Sequence, residues 1–247
     1  MKNISFVILT WNRSKMLKLC LSRLHAVIKN KDECEIIILD NASSDNTKDV
    51  INEFKNEKTD IKITTIFSRK NTGLNGYKKL FSKAKAKYIV EVDDDVLDFP
   101  DSLDHIFDTY MSNFPEYGYL ALDVIQNEHT DGAKPGAECY TEVERNGMVI
   151  ENGPTGGWCS CFRKEDFKKT SILFDLFHKF DFKNGEDGYL CRTLRKRGKK
   201  FGIIKGVKCF HASGPYYSRE FQQLDRDIMK YEDSGLDTYV KKYKEYR

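Results

Sequence analysis

Tyr88, Ile89, Val90, Glu91 and Val92 run without interruption into Asp93, Asp94 and Asp95. A short apolar stretch rich in β-branched and aromatic residues predicts a buried strand, and this one delivers three carboxylates side by side at its end. Like charges a few ångströms apart raise one another's pKa, so the triplet requires a compensating cation or donors. A bound metal is the simplest compensation. Oxygen ligands favour Mg²⁺ or Mn²⁺, and Mg²⁺ is usually held by one or two carboxylates together with substrate phosphates, which suggests a diphosphate substrate. The alternative is a solvated acidic turn capping a helix that begins near Asp101.

The pattern around the triplet sets its place in a fold. Residues 4–10 are almost continuously apolar, as a central parallel strand is, and give way to Trp11, Asn12 and Arg13. Leu17, Leu21, Leu24 and Ile28 then recur at helical spacing. Residues 35–40 predict a second strand, closed by a polar turn from Asp40 to Asp45 in which Ser44 or Asp45 can cap the next helix. Residues 61–67 alternate as a third strand, Asn71, Thr72 and Gly73 form a turn, and Tyr77, Leu80, Phe81 and Ala84 give another helix its buried face. Three strand–helix units before the acidic strand predict an α/β fold, a central, mostly parallel sheet covered by helices on both faces. In such sheets ligands bind beyond the carboxyl ends of the strands, where Thr10, Asn12, Asp40 and the aspartates all fall. One crevice is expected to collect them.

Beyond Asp101 the spacing predicts a helix to about Phe114, a strand over residues 119–124 and an irregular or hairpin-like stretch over 128–153. Gly156 and Gly157 precede a short apolar strand and leave Trp158 beside flexible backbone, a plausible pocket wall. Asn184 to Gly188 open a helix that carries Glu186 and Asp187 in its first turn, where the helix dipole stabilises negative charge; an ordinary helix start reads the same way. A strand over 201–210 runs into His211, which suits either a metal ligand at a sheet edge or a structural histidine. From Phe221 onward, tyrosines mixed with charges predict one or two surface helices without a legible role.

Composition excludes several classes. The 247 residues hold 41 basic and 38 acidic side chains, a net +3 that is too balanced for a nucleic-acid footprint. A local basic cluster, Arg192, Arg195, Lys196, Arg197, Lys199 and Lys200, reads first as a solvated helix face; a nucleic-acid-binding module is the rival reading, with an anionic membrane or an acidic acceptor as other partners it would suit. Seven cysteines, an odd and scattered set apart from Cys159 and Cys161, read as reduced thiols. There is no signal-peptide layout and no run of ~18 apolar residues, so a cytoplasmic protein is expected, with peripheral contact to the inner face of a membrane as an option.

The segment from Val7 to Arg13, the turn from Asp40 to Asp45, Asn71 to Gly73, the aspartate triplet, Gly156 and Gly157 followed by Phe162 and Arg163, and Gly185 to Asp187 together resemble family 2 glycosyltransferases of the GT-A fold. Each motif is weak alone, but their order and spacing match over about the first 215 residues. The resemblance implies a nucleotide-sugar half over 1–100 and an acceptor and catalytic half over 101–218, followed by a helical tail over 219–247. It implies that Thr10, Asn12 and Arg13 line a nucleotide pocket, with Asp40 on the base and Lys70, Asn71 and Gly73 nearby. Asp93 and Asp95 match the outer acids of the family's DxD motif, one facing the ribose or sugar and the other the metal on the diphosphate, with Asp94 between them. Asp187 matches the catalytic base, Glu186 its acidic partner, and Gly157 and Trp158 the acceptor wall. His211 matches a late histidine used on the metal or diphosphate. The implied activity is a Mn²⁺- or Mg²⁺-dependent, inverting transfer from a UDP-sugar, or another nucleotide sugar, to a hydroxyl on a glycan, lipid-linked glycan or protein. Trp11 stands where the family often has tyrosine, and the tail after Ser218 matches nothing in the family.

Two rival readings remain. A nucleotidyltransferase would share the layout and the metal but carry a glycine-rich phosphate loop after its first strand, where this chain has Trp11, Asn12 and Arg13. A non-catalytic nucleotide-sugar sensor could lose its base, whereas both Asp187 and the triplet are present.

Overall fold

The computed structural model describes residues 2–131, 134–167, 179–182 and 185–247. Asn184 lies outside them. The first half alternates as the sequence predicts: β1 (Ile4–Thr10), α1 (Ser14–Val27), β2 (Cys34–Asp40), α2 (Thr47–Glu57), β3 (Lys62–Phe67), α3 (Gly76–Lys83) and β4 (Tyr88–Asp93). The expected acidic strand is broken at its aspartates, because the chain turns at Asp94 and Asp95 and resumes as the short β5 (Val96–Asp98). The remaining elements are α4 (Leu103–Asn113), β6 (Tyr117–Val124), a hairpin of β7 (Thr141–Arg145) and β8 (Met148–Asn152), β9 (Cys159–Arg163), α5 (Glu186–Arg195), β10 (Lys200–His211), α6 (Pro215–Glu220), α7 (Leu224–Asp233) and α8 (Asp237–Lys244).

The sheet runs β3-β2-β1-β4-β9-β6-β10-β8-β7. Pairing is parallel from β3 through β4 and between β6 and β10, whereas β9 enters antiparallel between β4 and β6. The strand period assigns each side chain to a layer. On β4, Tyr88, Val90 and Val92 pack with α1 and α4, while Ile89 packs with α3 and α5. Glu91 and Asp93 share the parity of Ile89 and so fall on the α3 and α5 side. Both layers are filled by aliphatic and aromatic side chains that are almost entirely buried, and this burial is the main force holding the sheet between its helices.

The long β10 joins two parts of the sheet. Its start pairs with β6 and β8, its register shifts between Ile204 and Lys208, and its end pairs antiparallel with β5, setting His211 opposite Val96. Ala212 N–H then donates to Asp95 O at 2.9 Å. Gly202 is required on this strand, because a Cβ there would sit 2.4 Å from the carbonyl oxygen of Glu151. All seven cysteines are free thiols, and among the described residues no helix is long and apolar enough to cross a membrane.

Candidate active site

The strand ends on β1, β2 and β4 are tied together by polar side chains. Asn12 has φ 49°, a left-handed conformation that asparagine tolerates. Its N–H donates to Ser43 Oγ at 2.8 Å, and its Oδ1 accepts from Ser44 N–H at 2.7 Å. Asp45 accepts from the N–H of Ser14 and of Thr47, so one of the two expected caps serves the starts of both α1 and α2. Asp40 is fully buried and accepts from Ser43 N–H at 3.1 Å. Asn41 donates to Asn71 Oδ1 at 2.8 Å and to Gly73 O at 3.0 Å, shaping the turn at residues 71–73.

Arg13 is the hub of the acidic turn. Its guanidinium donates to Asp94 Oδ1 at 2.8 Å, to Asp95 Oδ2, and to Asp227 Oδ1 at 3.2 Å. Burial alone would depress its basicity, yet Asp95, Asp227 and Asp94 together raise it well above its ordinary value. The compensation that the packed carboxylates demand is therefore partly internal.

Asp93, Asp95 and His211 bring one ligand atom each to within 4.8 Å of one another. His211 Nε2 lies 3.0 Å from Asp95 Oδ1 and 3.7 Å from Asp93 Oδ2. Burial would raise Asp95, but Arg13 and His211 outweigh it and hold the carboxyl well below its usual range. Burial and the neighbouring Asp95 push Asp93 up to about 6. Tyr77 on α3 also donates to Asp93 Oδ1, at 3.2 Å. Two carboxylates and an imidazole form a donor set that suits Mn²⁺, and with further oxygen ligands Mg²⁺. These residues fit a divalent cation.

A second acidic group lies under α5. An ideal Cβ built on Gly157 would lie 3.5 Å from each of Glu91 Oε1, Glu186 Oε1 and Asp187 Cβ, so all three side chains converge where glycine leaves room. Burial first, then Asp187, pushes Glu186 up to about 8; burial and Glu186 push Glu91 well above the carboxylate range. Tyr119 O–H donates to Glu91 Oε2 at 3.4 Å. Burial also raises Asp187, against the opposing hydrogen bonds from the Gly188 and Gly157 backbone.

A cavity of about 750 Å³ unites these groups. Thr10, Arg13, Asn71, Gly73, the three aspartates, Gly157, Glu186, Asp187 and His211 line it. Four expected site residues do not. Asn12 and Asp40 are held within the loop network, and Lys70 opens on a separate outer groove beside Arg69 and Lys79. Trp158 packs against the core and donates its Nε1–H to Leu122 O at 2.9 Å.

The sequence model of "Glycosyl transferase family 2" matches residues 5–170. The chain belongs to this family. It is a glycosyltransferase, and the matched span holds β1 to β4 and the aspartate triplet, while Glu186, Asp187, His211 and the tail lie beyond it. Solved structures of similar fold agree. A mannosyltransferase from Pyrobaculum calidifontis, in complex with GDP-Man and Mn²⁺, superposes with a TM-score of 0.68 at 12% identity, over 95% of this chain and 67% of its own. S. aureus TarS 1–349 in complex with UDP-GlcNAc gives 0.64 at 12% identity, over 100% and 72%. A longer TarS chain gives 0.65 at 14% identity; this chain covers 40% of that length. At such identities the likeness speaks for the GT-A fold alone. No curated protein sequence matches the chain.

Sequence reasoning missed several residues that face the cavity. Asn41 sits inside a quoted motif, and Tyr77 reads as helix core, so neither signals its polar role. Glu91 is fully buried and does not line the cavity; its visible sign was a carboxylate inside an apolar strand. The tail gave no sign. From Phe221 onward, where one or two helices were expected, α7 and α8 form, and their Arg226, Lys230, Tyr231 and Tyr243 line the cavity.

Proposed function

We propose that this glycosyltransferase moves a sugar from a nucleotide diphosphate donor, with a UDP-sugar as first choice, to an acceptor hydroxyl by metal-dependent displacement with inversion. The observation that carries the reading is the opening of two acidic groups, Asp93, Asp95 and His211 on one side and Glu186 with Asp187 on the other, onto one cavity. The mannosyltransferase and TarS 1–349 were solved with GDP-Man and UDP-GlcNAc, which supports a nucleotide-sugar donor here.

In this reading Thr10, Asn71 and Gly73 contact the nucleotide, while Asn12, Asp40 and Arg13 hold the strand ends that form its seat. Asp93, Asp95 and His211 hold Mn²⁺ or Mg²⁺, which when bound neutralises charge developing on the departing diphosphate. Asp187 accepts the acceptor's proton. Its raised pKa keeps it a stronger base than a solvated aspartate, which suits transfer near neutral pH. Glu186 and Glu91 converge with it beside Gly157, whose missing side chain leaves the acceptor side open. The acceptor hydroxyl belongs to a glycan, a lipid-linked glycan or a protein, and the enzyme works in the cytoplasm, with peripheral contact to the inner face of a membrane as an option. The donor half is residues 1–100, the catalytic half 101–218, and the tail 219–247.

Asp187→Asn preserves shape and removes the base. Transfer is expected to fall by about 10²-fold or more, with donor affinity unchanged within a few fold. Wild-type transfer in this variant, or a product that keeps the donor's anomeric configuration by NMR, would overturn the mechanism.

A further inference from the structure

The tail holds a group of cations that the family match does not reach. Asp227 on α7 is 1% exposed, and three cations surround it. Arg13 lies at 3.2 Å and Arg226 donates to the same Oδ1; Lys230 Nζ is more distant, at 3.8 Å. Ser218 O–H donates to the other oxygen. Arg226 is also engaged elsewhere, since its Nε–H donates to Trp11 O at 3.1 Å and its guanidinium covers the Trp11 ring at 5.0 Å. The carboxylate of Asp227 is thus satisfied without Lys230.

Lys230 differs from its neighbours. Its ammonium lies 4.4 Å from the ring centre of Tyr231 and 4.9 Å from that of Phe182, and it lines the same cavity as Asp93 and Asp95. The 3.8 Å separation from Asp227 exceeds a hydrogen bond, so among the described residues the three donors of this ammonium have no hydrogen-bond acceptor. Its side chain is only 16% exposed. A cation held this far from solvent, with its donors unused and its stem fixed between two rings, is prepared for an anion entering the cavity.

We propose that Lys230 binds the diphosphate of the donor directly, so that the C-terminal tail forms part of the donor site. The proposal rests on the nucleotide-sugar reading above and adds a residue to it. Arg13, Arg226 and Lys230 balance Asp94, Asp95 and Asp227. A diphosphate bridging Lys230 and the side of the cavity that carries Asp93 therefore meets a positive group that no strand end supplies. The tail is joined to the strand ends through Arg13 and Asp227, which fixes Lys230 relative to the aspartates.

The test compares binding of UDP with uridine, and of GDP with guanosine, by calorimetry in Mn²⁺ for the wild type, Lys230→Met and Lys230→Arg. Methionine retains the apolar stem against Tyr231 and Phe182, and thermal melts check that each variant is folded. Lys230→Met is expected to weaken diphosphate binding by about tenfold or more and to leave nucleoside binding within twofold, with Lys230→Arg near the wild type. Equal diphosphate affinity in the wild type and Lys230→Met would overturn the inference, as would parallel losses for diphosphate and nucleoside. So would an arginine variant as weak as the methionine one. Failure of the wild type to bind either diphosphate would instead overturn the donor reading on which the inference rests.

Discussion

Glu186 is 7% exposed and retains its proton in the folded protein to about pH 8, through burial and the adjacent Asp187. A carboxyl whose pKa is raised by folding binds more protons in the native than in the unfolded state between the two values. Its contribution to stability is complete below about 4.5 and is lost as pH rises through about 8. The wild type in chelator is therefore expected to melt at a lower temperature at pH 9 than at pH 6, and Glu186→Gln should narrow that difference. Identical pH profiles for the two proteins would contradict the burial argument. At this scale the sequence was informative at three strand ends, where Thr10, the aspartates and His211 reach the cavity at the sheet's carboxyl edge. It was less informative for Asn12, Asp40 and Lys70. A polar residue at a strand end serves equally well in tying loops together, and only the hydrogen bonds of Asn12 and Asp40 distinguish the two roles.

The helices of the tail illustrate a limit at the level of elements. α7 and α8 have a small apolar cluster of their own, Leu224, Ile228, Val240 and Tyr243, and they are tied to the segment after β1 by Arg226 on the Trp11 carbonyl and by the buried Arg13–Asp227 pair. That contact joins residues 214 positions apart, which local periodicity cannot reveal. Burial would raise Asp227, but Arg13, Lys230 and Arg226 hold it well below its usual range. The stabilisation is present above that usual range and is lost as pH falls into strong acid. Removing one partner of a buried ion pair leaves its cations uncompensated and costs about 3–5 kcal/mol. Asp227→Ala is accordingly expected to lower the denaturant midpoint, with a loss of that size near neutral pH that narrows in acid. A change under about 0.5 kcal/mol, typical of exposed surface sites, would contradict the tail's role as a packed element. The helices α1, α2 and α3 were legible for the opposite reason: each carries an apolar stripe at helical spacing that is buried against the sheet, so local periodicity suffices to find it.

Across the whole molecule, the parallel half of the sheet and the strands around β10 meet at β9, and the groups that line the cavity come from both. The aspartate triplet lies on β4 and the turn after it; Glu186 and Asp187 open α5, and His211 closes β10. Pairing of β10 with β5 is the step that unites them, since it brings an imidazole 116 residues away in sequence against Asp95. The strand bearing His211 could be read from its apolar residues, but the register shift that turns its end toward β5 could not. In the proposed function this assembled group binds a nucleotide sugar through a divalent cation. Calorimetric titration of UDP-sugars and GDP-sugars, with Mn²⁺ or with excess chelator, tests it most directly. Saturable binding is expected only with the cation, weakened more by Asp95→Ala than by Asp94→Ala, whereas equal affinity in chelator would contradict the claim.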